Sequence, residues 1–102
     1  MSASRNISVP QISIATFCQK WRVREFALFG SVLRDDFGPE SDIDVLVSFE
    51  PKSQWSLWDL LAMRDELVVL FGRPVDLIEK EALRNPIRKE RILSTREVIH
   101  AA

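Results

Sequence analysis

The chain has 102 residues, 46% hydrophobic and 28% charged with a net charge of −1, an ordinary globular composition that fits one domain over residues 1–102. At this length roughly 60 to 70% of the unfolded surface can be buried, which leaves little room for a separate domain that would hold an acceptor substrate. No lysine or arginine block supports affinity for a nucleic-acid backbone, and no apolar run approaches the ~18 residues a membrane span needs.

Cys18 is the sole cysteine, so neither an intrachain disulfide nor a cysteine metal cluster can form, and the cytoplasm is the expected compartment. Residues 1–10 are polar and contain no signal-peptide core. From residue 11 to about 23, Ile12, Ile14, Ala15, Phe17, Cys18 and Trp21 recur at helical spacing with Pro10 at the first turn, which predicts a scaffold helix covering one face of a sheet. Residues 26–29 are an apolar run that stops at Gly30-Ser31, as a buried strand does on turning into a helix. Ser31 is the expected N-cap of that helix and Arg34 lies inside it. After a turn at Phe37-Gly38-Pro39, residues 42–49 read Asp-Ile-Asp-Val-Leu-Val-Ser-Phe, a second strand whose side chains alternate between two faces.

Residues 50–54 form a loop, and Ser56-x-x-Asp59 resembles a capping box opening a helix that Gly72 closes. Leu57, Leu60, Leu61, Leu67, Val68 and Phe71 make its expected core stripe, and Trp55 and Trp58, which would also suit a protein-binding surface near a loop and helix start, are assigned to core packing. Residues 73–78 read as a further strand with Asp76 its single charge between apolar neighbours. A helix starting at Pro86 after Asn85, then a short strand, should pack the tail across the sheet. Arg84, Arg88, Lys89 and Arg91 could reach phosphate, although an exposed charged helix face is the commoner use of such residues, and His100 fits a solvated position near the end.

The chemistry concentrates in residues 30–47. The first N–H groups of a helix starting at Ser31 would favour phosphate, and Gly30 would let it approach closely. Asp42 and Asp44, two apart on a strand, point the same way and repel each other unless a cation neutralises them or one is protonated. A hard divalent cation such as Mg²⁺, which takes one or two carboxylates plus phosphate oxygens and water, is the simplest neutraliser.

Gly30-Ser31, ten intervening residues and Asp42-x-Asp44 resemble the signature of the polymerase-β-type nucleotidyltransferases. The flanks Leu28-Phe29 and Ser41 to Val47 are similar to the minimal subgroup of that superfamily, small bacterial and archaeal proteins often serving as antitoxins. The resemblance implies an α/β fold, a small mixed sheet flanked by helices. It further implies a triad in which Asp42 and Asp44 bridge two Mg²⁺ ions and Asp76, on the neighbouring strand, holds the ion that activates the attacking hydroxyl. Gly30, Ser31, Arg34 and Ser41 become the nucleotide-binding set. The implied reaction is transfer of AMP from ATP to a hydroxyl of a partner protein, a tyrosine of an all-helical HEPN-type ribonuclease toxin encoded nearby. These residues contain no tyrosine, so the acceptor tyrosine must lie on another molecule. The alternatives are a binding module that acts by occluding its partner, or nucleotidylation of a small molecule.

Overall fold

The computed structural model describes residues 7–34, 37, 38 and 40–101. The first helix, α1 (Gln11–Trp21), buries Ile14, Phe17 and Cys18, which fall on one stripe at spacings of three and one. Ile12 and Ala15, expected on the same stripe, are exposed, Ile12 to 85%. Two residues of helix turn a side chain most of the way to the opposite face, so Ile12 cannot share the face of Ile14. Pro10 caps the helix from just outside it, its carbonyl accepting from the Ile14 N–H at 2.9 Å. Arg22 ends α1 in the left-handed region at φ 58° and turns the chain at once into β1 (Val23–Phe29).

β1 is the centre of a four-stranded mixed sheet of order β3-β2-β1-β4, whose other strands are β2 (Ile43–Phe49), β3 (Val75–Glu79) and β4 (Glu97–Ala101). β1 runs antiparallel to β2 and β4, and β2 runs parallel to β3. The parallel pair is joined by the helix α2 (Leu57–Phe71), as parallel strands require. The strands of the sheet centre are buried on both faces. Phe26, Leu28, Ile43, Val45 and Val47 pack with Ile14 and Phe17 of α1 and with Met63 and Leu67 of α2. Ala27, Phe29 and Leu46 pack on the opposite side with Leu83 and with Ile92 of the last helix, α3 (Pro86–Thr95).

The capping box opens α2 as expected: the Asp59 N–H donates to Ser56 Oγ at 3.2 Å and the Ser56 N–H donates to Asp59 Oδ2 at 2.9 Å. Gly72 closes it at φ 72°, a conformation that favours glycine. The stripe needs revision at its start. Leu57 is 68% exposed and Trp58 78%, whereas Met63 is fully buried. Trp55 does pack, edge-on to Trp21 at 5.1 Å and Phe49 at 6.4 Å, with its Nε1 donating to the Trp21 carbonyl at 3.0 Å. Asn85 caps α3, accepting from the Ile87 and Arg88 N–H groups at 3.0 Å each. His100 pairs with Phe26 in β4 and is half-buried, a strand position in place of the expected solvated one.

Cys18 lies 2% exposed in α1, and burial pushes its thiol up to about 12. Glu25 of β1 pairs with Arg96 and, at 3.7 Å, with Lys80; the hydrogen bond from Arg96 is the main cause that holds its carboxyl below the usual range.

Candidate active site

Register places the acids. Asp44 sits opposite Phe29, the last residue of β1, and beside Asp76, its partner on the parallel strand β3. Alternation along β2 puts Asp44 on the face of Leu46, the side covered by α3. The ladder begins at Ile43, whose N–H donates to the Pro74 carbonyl at 3.0 Å, so Asp42 stands exposed one residue ahead of β2 and not within it.

The turn after β1 differs from expectation. Gly30–Leu33 form a single 3-10 turn, Phe29 and not Ser31 occupies its cap position, and Arg34 follows its end in an extended conformation. A short turn suffices because it is fastened across the site: Ser31 Oγ donates to the Asp42 carbonyl at 3.2 Å, and the Arg34 N–H donates to the Ser31 carbonyl at 3.0 Å. Gly30 is required twice. Its φ is +72°, and a Cβ there would lie 2.2 Å from Asp44 Oδ2. The Asp44 carboxylate is thus seated in the space that a glycine leaves.

That seating is electrostatically unfavourable. Burial raises the Asp44 pKa first, then the charge of Asp76, with Asp42 adding to both; the Ser31 backbone N–H and Arg34 pull the other way. A divalent hard cation would relieve this repulsion, and three carboxylates without sulfur or imidazole are a donor set suited to Mg²⁺. Among the described residues no three acidic, histidine or cysteine side chains converge closely enough to form a finished metal cage.

Ser41 lies in the loop leading to Asp42. Its Oγ accepts from the Gly38 N–H at 3.1 Å. Sequence reasoning overlooked Arg73, which donates from Nη1 to the Gly38 and Ser41 carbonyls, 3.1 Å each, and lies over the Phe37 ring at 4.6 Å. It holds the loop that delivers Asp42. Its only sequence signal was a cation between the helix-closing Gly72 and Pro74. The turn expected at Phe37-Gly38-Pro39 is described only at Phe37 and Gly38, Pro39 lying outside the described residues.

Two clefts are lined by these groups, one by the acids and one by the glycine turn. One, of about 340 Å³, is lined by Asp42, Asp76, Leu57, Leu61 and Arg64. The other, of about 600 Å³, runs between the Gly30 turn and α3 and is lined by Gly30, Arg34, Arg88 and Arg91 over Phe29 and Ile92. The helix face expected to be simple solvated charge therefore forms one wall of a cleft.

A glycine-serine turn seated against an acid-bearing strand, with a further acid on the adjacent parallel strand of a small mixed sheet, is the architecture of a nucleotidyltransferase of polymerase-β-like fold. The family model described as nucleotidyltransferase domain matches residues 13–99, and the chain belongs to that family. It is a minimal nucleotidyltransferase of MntA type, an enzyme of nucleotidyl transfer. It is similar to the protein adenylyltransferase MntA of Thermococcus cleftensis, 35% identical over 82 residues that cover 80% of this chain and 78% of the relative. The fold matches a crystal structure of a toxin-antitoxin with AMP-PNP at TM-score 0.74 and 14% identity, over 92% of this chain and 75% of that one. It also matches tri-AMPylated Shewanella oneidensis HEPN toxin in complex with MNT antitoxin at TM-score 0.65 and 15% identity, over 90% of this chain and 70% of that one.

Proposed function

We propose that this chain, acting as a single domain, transfers AMP from ATP to a tyrosine hydroxyl of a HEPN-type toxin and so serves as its antitoxin. The observation that carries the reading is the Asp44 carboxylate lodged against Gly30, with Asp76 at the paired position of β3 and a Ser31 N–H directed at it. The relatives named for protein adenylyl transfer, and the structural neighbours that contain AMP-PNP or an AMPylated toxin, support the choice of nucleotide and partner.

Asp42, Asp44 and Asp76 would hold two Mg²⁺ ions, which when bound supply charge neutralisation between triphosphate and carboxylates and lower the pKa of the attacking hydroxyl. The chain's own residues do the positioning. Gly30 leaves the space in which the Asp44 carboxylate is seated against the turn, and Ser31 fixes that turn to the start of β2. Arg73 and Ser41 hold the loop from which Asp42 projects. The Asp76 carboxylate, exposed at the sheet edge, would accept the hydroxyl proton as the acceptor oxygen attacks the α-phosphorus and pyrophosphate departs. Leu57 and Leu61, in the same cleft as Asp76, would receive the apolar ring of the acceptor tyrosine.

The test is to incubate the partner toxin with this chain, Mg²⁺ and each nucleoside triphosphate in turn, and to measure the toxin's intact mass. A gain of one AMP from ATP is expected with the wild type and none with the Asp42→Asn, Asp44→Asn double variant. An unchanged toxin mass, with growth rescued equally by both chains, would establish occlusion instead. That second reading draws on the exposed Leu57 and Trp58 beside the acidic cleft, an apolar pair suited to a protein partner. Among the described residues no helix is long and apolar enough to cross a membrane.

A further inference from the structure

The cleft between the Gly30 turn and α3 carries three guanidinium groups and, among its described lining residues, no carboxylate. In a chain of net charge −1 this is a local reversal of sign. Arg88 and Arg91 are three residues apart on α3, hence neighbours on one side of the helix, and both are exposed. Among the described residues no acidic group lies within ion-pair distance of either. Their helix is fixed by the Asn85 cap and by Ile92, which packs into the cluster of Phe29 and Leu46. Like charges gathered on a rigid wall raise the local concentration of anions, and an apolar floor strengthens the effect.

The position of the cleft narrows the choice of anion. Its wall includes Gly30, whose absent side chain is what admits the Asp44 carboxylate. An anion in the cleft would therefore lie against the same turn that seats the Asp44 carboxylate. We propose that Arg88 and Arg91 bind the β- and γ-phosphates of the nucleoside triphosphate and retain the pyrophosphate they become. The proposal rests on the AMP-transfer reading, in which the α-phosphorus stays beside the carboxylates and the rest of the polyphosphate extends away from them. In that step the acceptor oxygen forms a bond to the α-phosphorus and its proton passes to Asp76. The bond from the α-phosphorus to the bridging oxygen breaks, and its electron pair stays on pyrophosphate. Two arginines at the departing end offset the charge that grows there, and a guanidinium fork suits phosphate oxygens better than an ammonium does.

Calorimetric titration with Mg²⁺ present tests this, using ATP, AMP and inorganic pyrophosphate against wild type, the Arg88→Ala, Arg91→Ala double variant and the Arg88→Lys, Arg91→Lys double variant. The alanine pair should weaken ATP and pyrophosphate by at least about tenfold and AMP by less than about twofold, as loss of two charge-assisted contacts to the terminal phosphates alone predicts. The lysine pair should restore part of the loss. Unchanged ATP affinity in the alanine pair, an equal weakening of AMP and ATP, or a wild type that binds no pyrophosphate would each overturn the assignment. Both arginines are exposed, so the variants should fold, with thermal melts checking that they do. A wild type that binds ATP through these arginines yet modifies no toxin would refute AMP transfer and leave the cleft assignment standing.

Discussion

The two faces of β2 are built to different rules. On one, Ile43, Val45 and Val47 meet the two helices α1 and α2 in an apolar layer; on the other, Asp44 and Ser48 flank Leu46 under the single helix α3. Ser48 is buried on that face and donates to Glu81 at 2.6 Å. The first face stabilises the strand and tolerates no charge, while the second accepts the electrostatic penalty of a half-buried carboxylate. A strand this firmly packed on one side can hold an acid in an unfavourable place on the other, which is what a preorganised site requires.

Substitutions that touch one face at a time separate the two rules. Asp44→Asn should reduce transfer at least ~1,000-fold, the scale of a preorganised charge at the reacting centre, without loss of stability. The sign follows from linkage: the folded chain holds the Asp44 proton more tightly than the unfolded one, so the ionised carboxyl costs stability at neutral pH and that cost fades as pH falls through its raised pKa. The variant should melt at or above the wild-type temperature at pH 7, with its advantage shrinking in acid. Leu67→Ala, on the opposite face, should cost about 2–5 kcal/mol in denaturant unfolding and leave kcat nearly unchanged where the chain stays folded. A large kcat loss there would show that the faces are coupled.

Arg73→Ala should fall between these extremes, losing about 1–3 kcal/mol through two carbonyls left without their donor and lowering kcat/KM by loosening the loop that carries Asp42. Restoration of activity by saturating Mg²⁺ and ATP would mark its role as positioning. The smallest effect belongs to Glu25. Its lowered pKa makes its pairing with Arg96 and Lys80 stabilising above the ordinary glutamate range, and that stabilisation disappears as pH falls through the lowered value. Wild type should therefore melt above Glu25→Gln at pH 7, and the two should converge in acid.

The mixed sheet came from the family resemblance, whereas the signature Gly30-Ser31 with Asp42-x-Asp44 and the caps of α2 and α3 were legible because each rests on local spacing: a turn glycine, an alternating strand, a serine three residues before an acid. The conformation after Gly30 was not, since the spacing cannot show that Ser31 will spend its hydroxyl on Asp42 across the turn and leave a single 3-10 turn in place of a helix. Leu57 and Trp58 were misplaced for a similar reason. Helical periodicity identifies a stripe but not which of its turns the rest of the fold covers. Arg73 acquires its position from pairings 32 and 35 residues distant, and the reach of Arg88 and Arg91 toward phosphate, open in the sequence, gains a cleft wall only from the docking of α3.

Cys18 gives the chain a chemical reporter of its own. The thiolate is the species that reacts with thiol reagents, and with the pKa raised to about 12 almost none exists in the folded state near neutrality, while the side chain is also shut beneath the sheet. Labelling must then proceed through detachment of α1, so its rate measures how often that helix leaves the sheet, in a single native-state experiment without denaturant.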